Sequence, residues 1–226
     1  MKYFKFIIFF LFLLLATSCG VYNPHLIDIP LIHEKNDLRI DAGISILVPS
    51  VRTSFSYGIT DKMAAEAFIS YGSDYRYYFQ ASTGTYKKIK EKFVQEIYAG
   101  FGYGYGNSYN NANPGTLDGN YKLYFAQYNF GRIANQRSGI ECGFSFKSGF
   151  LHSKLSDNNY HELNTSTIEF KSNSLLLEPT VMARFGKGKL KFSTYLGASY
   201  LLKLDPIKRY TTTDLLNFGF GLNYRL

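Results

Sequence analysis

In residues 216–226, LNFGFGLNYRL, bulky apolar side chains alternate with small or polar ones. A period of two residues places successive side chains on opposite faces of a β-strand. The stretch therefore predicts a strand with one apolar and one polar face. The apolar positions are Phe218, Phe220, Leu222, Tyr224 and Leu226, and the positions between them are Asn217, Gly219, Gly221, Asn223 and Arg225.

The same alternation continues upstream to Asp37, and no window has the 3.6-residue period of an amphipathic helix. Most of the segments are ten to fifteen residues long by this pattern, and a tilted membrane strand needs about 9–11 residues to cross. The sequence predicts an all-β chain of about ten strands, within a range of 8–12. They are 37–47, 50–60, 62–72, 76–87, 92–105, 120–133, 138–152, 174–186, 189–203 and 214–226.

The composition of the two faces indicates which one meets lipid. A soluble barrel would carry long charged residues outside, whereas a membrane barrel has an apolar exterior and a polar interior. Here the polar face is rich in Gly, Ser, Asn and single charges of both signs. We therefore predict a closed antiparallel up-and-down transmembrane β-barrel spanning 37–226. The polar residues expected in its lumen are Arg39, Asp41, Arg52, Glu66, Glu96, Glu141, Lys147, Glu178, Arg184 and Arg225.

The lengths of the joins between strands predict the orientation. The joins at 61, 88–91, 134–137 and 187–188 are short, while those at 106–119, 153–173 and 204–213 are long and all follow odd-numbered strands. Outer-membrane barrels have short periplasmic turns and longer external loops. This pattern predicts that both termini of the barrel are periplasmic.

The first residues have the layout of a secretory signal. Lys2 and Lys5 precede an apolar run from Phe6 to Leu15, which is too short for a membrane-spanning helix. The small residues that end at Cys19 resemble a bacterial lipobox, so we predict a signal peptide at 1–18 and lipid attachment at Cys19. A plain signal-peptidase cut and an uncleaved anchor are the alternatives. Residues 19–36, with two prolines and no clear period, are expected to form a tether.

The distribution of charge argues against a nucleic-acid-binding protein, and the sequence lacks a clear catalytic or metal-binding motif. The formal charge is +8, but no basic run is longer than Lys87-Lys88, and an exported chain rarely meets nucleic acid. The basic surplus favours anionic membrane lipids as a partner. We predict no catalytic, cofactor-binding or metal residues, although His152, Asp157 and His161 leave an enzyme at the rim open. Pro179 is expected to produce a bulge in its strand.

Four segments carry a resemblance to small outer-membrane β-barrel proteins, especially the uncharacterised lipoprotein barrels of Bacteroidetes-type bacteria. They are FGYGYG at 101–106, YFAQYNFG at 124–131, LLLEPTVMARFGKGKLKF at 175–192 and FGFGLNYRL at 218–226. The resemblance implies an outer-membrane location, the outer-membrane assembly machinery as a partner, and a C-terminal assembly signal formed by Gly221, Tyr224 and Leu226. It implies no reaction.

These observations favour a non-enzymatic outer-membrane lipoprotein with an envelope, adhesion or ligand-binding role, whose surface ligand is unknown. A narrow channel for small solutes is one alternative, because charges facing the lumen can either line a path or satisfy one another. The interior of a barrel of about eight strands is just filled by its side chains, so a barrel of ten strands has little open lumen. A soluble lipocalin-like periplasmic carrier is the other alternative.

Overall fold

The computed structural model describes residues 21–22, 25–73, 75–110, 115–134, 139–161, 164–205 and 216–226. Within these ranges the chain is built from strands, and no helix is long and apolar enough to cross a membrane. The predicted signal peptide and Cys19 lie outside the described residues. The strands are β1 Leu38–Ser45, β2 Ser50–Gly58, β3 Met63–Gly72, β4 Tyr77–Ile89, β5 Phe93–Asn110, β6 Gly115–Arg132, β7 Ile140–His161, β8 Asn164–Phe185, β9 Leu190–Ala198, β10 Tyr200–Lys203 and β11 Leu216–Arg225.

Each strand pairs antiparallel with its neighbours, and β1 pairs with β11, which closes the sheet into a barrel. β9 and β10 both pair with β8 and are separated by Ser199 alone, so the described residues form a ten-stranded barrel. Closure satisfies the backbone polar groups of the strands that it pairs, as crossing a bilayer requires. The predicted fold is confirmed. We call the end at Leu226 the base and the opposite end the rim.

The outward face of the barrel is apolar and the inward face is polar. On β7, Phe144 is 41% exposed while Glu141 is 1% exposed. Phe101 is also exposed, and its neighbour Gly102 faces the lumen. This is the arrangement of a membrane barrel and the inverse of a soluble one, so the structure contradicts the soluble-carrier alternative.

An apolar band encircles the barrel, and its height can be read along β7. Ile140, Phe144, Phe146 and Phe150 are all exposed on the outward face. From Ile140 to Phe150 is about 33 Å along the strand, or about 25 Å along the axis of a barrel whose strands tilt by about 40°. Outer-membrane barrels carry an apolar band of this height. The band ends toward the rim at the cross-strand row Tyr124–Phe150–Leu175.

Above this row, β5 to β8 continue as a tall wall, which we define as their residues beyond the band. β5 reaches Asn110, and β7 and β8 pair from Ile140↔Phe185 without interruption to His161↔Asn164. The predicted long loops at 106–119 and 153–173 are therefore mostly strand. The prediction was wrong because both faces of these extensions carry polar residues, which removes the apolar alternation. The third predicted loop, 204–213, lies mostly outside the described residues.

Pro179 does not produce the expected bulge. Thr180 pairs with Gly197 and Leu177 pairs with Tyr200, so the register between β8 and its neighbour is unchanged across the proline. A bulge would have inserted one residue and shifted the register. The ladder is instead interrupted at Ser199 between β9 and β10, next to the proline that has no N–H to donate.

Candidate functional site

The lumen is filled by the chain's own N-terminal residues. Residues 21–22 and 25–36 form what we call the inner segment. Up to Ile32 it runs inside the barrel, where Leu26, Ile29 and Leu31 are each at most 1% exposed. The extended tether expected at 19–36 therefore differs from the structure, which places residues 21–22 and 25–32 inside the barrel, with residues 34–36 exposed at the base. Burial of its apolar side chains stabilises this position.

Glycines of the barrel wall make room for the inner segment. A Cβ on Gly131 would lie 2.7 Å from the side chain of Leu31, and one on Gly143 would lie 3.0 Å from Cγ2 of Ile29. At Gly106 it would meet the backbone oxygen of Val21. A side chain at these positions would collide with the inner segment, so the lumen-facing glycines leave the space that the segment occupies.

Asp28 anchors the middle of the inner segment to four strands. Its carboxylate accepts hydrogen bonds from Arg184 at 3.0 Å, from Ser54 and, more weakly, from Tyr195 at 3.4 Å. The amide of Gln127 donates to its backbone oxygen at 3.1 Å. A buried carboxylate is tolerated only when it is paired and hydrogen-bonded, so these contacts fix the depth of the segment in the lumen.

Around Asp28 the lumen contains two linked ion-pair groups. Asp41 lies 2.9 Å from Arg52 and accepts a 2.8 Å hydrogen bond from Tyr195. The guanidinium of Arg52 also stacks over the ring of Tyr195 at 4.1 Å. This group holds β1, β2 and β9 together across the lumen.

Glu141 is the centre of the second group. It accepts hydrogen bonds from Arg39 at 3.1 Å and from Lys191 at 2.6 Å, and lies 3.6 Å from Arg184. Arg184 thereby connects Glu141 with Asp28. Charges of opposite sign cross-link the lumen, as expected of a closed barrel interior rather than an open path.

The base of the barrel is closed by a further set of contacts. Glu96 accepts a 2.6 Å hydrogen bond from the backbone N–H of Ile32. Arg225 donates to Asp37 at 2.8 Å and to Glu34 at 2.7 Å. These contacts join the end of the inner segment to β5 and to the C-terminal strand β11.

Toward the rim the lumen becomes aromatic. His25 stacks on Tyr78 with ring centroids 4.0 Å apart and hydrogen-bonds to Tyr121 at 3.1 Å. Tyr22 donates a 2.9 Å hydrogen bond to Glu178. Packed rings fill this half of the barrel, and the polar atoms of the inner segment find partners on the wall.

The structure places the predicted lumen residues as follows. Eight of them are buried and paired inside the barrel, namely Arg39, Asp41, Arg52, Glu96, Glu141, Lys147, Glu178 and Arg184. Lys147 donates a 2.8 Å hydrogen bond to Gln80. Glu66 is also buried, but neither carboxylate oxygen has a hydrogen-bond partner among the described residues. Arg225 is partly exposed at the base.

The C-terminal residues predicted as an assembly signal lie on both faces of β11. Gly221 faces the lumen, and Tyr224 and Leu226 are exposed on the outside. The backbone N–H of Leu226 donates to Leu38, which ties the chain end to β1 at the base. The signalling role itself stays a prediction.

Of the residues considered for catalysis, His152 has a side chain in the described part of the structure. His152 lies on the outward face of β7 and hydrogen-bonds to Asn173 at 2.7 Å. The side chains of Asp157 and His161 lie outside the described residues. No group of three or more metal-ligating side chains occurs among the residues that the structure describes.

Sequence reasoning missed the inner segment and its contacts, above all Asp28, His25 and Tyr22. Two signals could have found them. The stretch HLIDIPLI at 25–32 carries more bulky aliphatic residues than a solvated tether needs. The glycines on the lumen face, such as Gly131 and Gly143, also leave room for a segment inside the barrel.

The barrel resembles outer-membrane barrels of known structure. The outer membrane protease OmpT from Escherichia coli superposes with a TM-score of 0.54 at 8% identity, over 85% of this chain and 94% of that chain. The N-terminal β-barrel domain of Pseudomonas aeruginosa OprF matches at a TM-score of 0.35 and 13% identity, over 85% and 98% of the two chains. The KdgM porin bound to oligogalacturonate matches at 0.40 and 10%, over 83% and 98%.

No protein-family model matches the sequence, and no curated protein matches it. The likeness to OmpT shows the fold alone. Together with the apolar exterior and polar lumen, it identifies the chain as an outer-membrane β-barrel in architecture.

Proposed function

We propose that the protein is a closed, non-enzymatic outer-membrane lipoprotein barrel that presents its tall wall at the cell surface for adhesion or ligand binding. The observation that carries this proposal is the filled lumen. The inner segment is bonded to the wall at the base through Glu96, in the middle through Arg184 and near the rim through Glu178. A barrel sealed at three levels has its remaining accessible surface on the outside and at its two ends.

The proposed orientation places the base, and hence the C-terminus, in the periplasm. It is supported by the strand extensions of β5 to β8, which all lie at the rim. Outer-membrane barrels extend further on the external side than on the periplasmic side. Intact cells should therefore be cleaved by added protease within 111–114 and 162–163, which follow β5 and β7, and not at 187–188.

The outward face of the tall wall favours contact with anionic head groups. Lys122, Lys154 and Lys171 are all exposed and occupy the two rows directly above the apolar band. Basic residues near a membrane surface are attracted to anionic lipids. This supports the proposed partnership with membrane lipids, and the wall beyond these rows is left for a surface ligand.

Single-channel recording in planar bilayers tests the closed state. We expect the wild type to show no steady conductance and a chain lacking residues 21–32 to open. Steady wild-type current would overturn the proposal in favour of a channel, whether or not the deletion variant folds. Turnover of peptide or lipid A substrates that His152→Ala abolishes would instead show an enzyme.

A further inference from the structure

The inner segment can be followed through the lumen from one end to the other. Ile32 is bonded near the base, Asp28 in the middle, and Val21 lies beside Gly106 close to the rim. Gly106 on β5 pairs with Gly119 on β6. Leu31 packs against Gly131, which lies on β6 as Gly119 does. The two glycines are about 40 Å apart along β6, or about 30 Å along the barrel axis. The segment therefore crosses the full thickness of the membrane.

The upper end of the segment lies beyond the apolar band. The band ends at Tyr124, and Gly119 lies above it on the same strand, level with the exposed lysines. The opposite end of the chain is at the base, where Leu226 bonds to Leu38. Val21 and Leu226 are thus separated by the whole band.

Covalent geometry then limits where Cys19 can be. Cys19 precedes Val21 by two residues, which span at most about 7 Å. The leaflet at the base is about 25 Å away across the band, so a group on Cys19 cannot reach it. A group on Cys19 can reach lipid on the rim side, because the barrel wall is low beside Val21. The pairing of β4 with β5 ends at Tyr77↔Tyr105, directly below Gly106.

We infer that the N-terminal segment threads the barrel, so that acyl chains on Cys19 insert into the leaflet on the rim side, opposite the C-terminus. This rests on the proposed function for lipid attachment and for the assignment of the rim to the cell surface. In that orientation the lipid lies in the outer leaflet. The sequence predicted both termini of the barrel in the periplasm, and this inference moves the lipidated end of the chain to the opposite side.

Two epitope tags in the full-length chain test the relative placement. One is inserted between Gly20 and Val21, and the other at Gly188, where an added side chain meets open space. On intact cells we expect antibody to bind the first tag, and the second only after permeabilisation. Both tags on the same side would overturn the inference. The reversed pattern would support threading and overturn the proposed orientation, so the two failures are distinguishable.

A disulfide provides a measurement independent of tags. The approach of Ile29 Cγ2 to within 3.0 Å of a Cβ at Gly143 places the two Cβ atoms within about 4.5 Å, as a disulfide requires. The variant Ile29→Cys, Gly143→Cys, Cys142→Ser should cross-link in cells and migrate faster before reduction. Ile29→Cys with the native Cys142 is the matched control, because Cys142 is exposed on the outer face. Equal cross-linking in both, or none in the first, would overturn threading.

Acylation is measured separately by feeding cells an alkyne-labelled fatty acid. We expect label on the wild type and its complete loss in Cys19→Ala. Absence of label from the wild type would overturn the lipid part of the inference, while the tags and the cross-link still decide the threading.

Discussion

Asp28 and Arg184 form a buried ion pair, 3.0 Å between Oδ1 and Nη2, that joins the inner segment to the barrel wall. Arg184 also approaches Glu141 at 3.6 Å. The pair therefore couples the position of the inner segment to the charge balance of the whole lumen. Removing one partner of a buried pair leaves the other desolvated without compensation.

Asp28→Asn should lower the free energy of unfolding by about 1.5–3 kcal/mol, the range for a hydrogen bond to a charged group. The loss stays below that of an isolated pair because Glu141 remains near Arg184. Urea unfolding in lipid vesicles measures it. Asp61→Asn, on an exposed turn, is the control and should leave the midpoint unchanged; equal effects would remove the special role of Asp28.

Gly106→Val should release the upper end of the inner segment. The atoms that a new Cβ would meet there belong to Val21, so the collision acts on the segment and spares the wall. Chymotrypsin added from outside should then cleave after Tyr22, which is buried in the wild type. Fragment masses report the cleavage. Tyr103→Val, on the outward face of the same strand, should leave Tyr22 protected, and cleavage there in both variants would contradict this account.

The period-two pattern predicted the barrel and its two faces because the pleat alone determines them. Once Phe144 is assigned to lipid, Glu141 and Lys147 must face inward. Alternation fails in the tall wall, where Ser153 faces the lumen and Lys154 faces solvent and both are polar. The strand length beyond the band therefore could not be predicted from hydrophobicity.

The position of the inner segment could not be predicted from the sequence for a different reason. Its position depends on contacts with many strands at once, such as those of Asp28 with β2, β6, β8 and β9. Local sequence specifies neither the partners nor the depth. Alternation predicted the charges of the wall as a set, but their pairing, such as Glu141 with Lys191 rather than with Lys147, follows from the register of the closed sheet.

Glu141→Gln and Glu66→Gln should have opposite consequences, although both side chains face the lumen. Glu141 neutralises Arg39, Lys191 and part of Arg184, so its loss should cost about 3 kcal/mol of unfolding free energy. Glu66 has no hydrogen-bond partner among the described residues. Removing its charge should be neutral or stabilising by about 1 kcal/mol. Vesicle unfolding compares the two, and a larger loss for Glu66→Gln would contradict the assigned contacts.

The lysines above the band should make stability depend on lipid charge. The wild type should be more stable in bilayers containing phosphatidylglycerol than in phosphatidylcholine alone, by about 1 kcal/mol per lysine at low salt. Replacing Lys122, Lys154 and Lys171 by Gln should reduce this difference by about 1 kcal/mol per lysine and leave stability in the neutral bilayer unchanged. The exposed lysines at the base, such as Lys87 and Lys187, keep the rest. High salt should have the same effect on the wild type by screening. An undiminished difference in the triple variant would place the membrane surface elsewhere.

The limits of the apolar band can be tested by one substitution inside it and one above it on the same strand. Phe146 is exposed in the middle of the band, and Ser156 is outward on the tall wall beside Asp118 and Glu169. Phe146→Arg should cost about 2–4 kcal/mol, because a cation at the bilayer midplane loses its hydration. Ser156→Arg should cost about 0–1 kcal/mol, because its guanidinium stays in water near two carboxylates. Unfolding in phosphatidylcholine vesicles measures both, with Phe146→Leu controlling for lost volume. If Phe146→Arg lowered the unfolding free energy no more than Ser156→Arg, this face of β7 would not touch lipid.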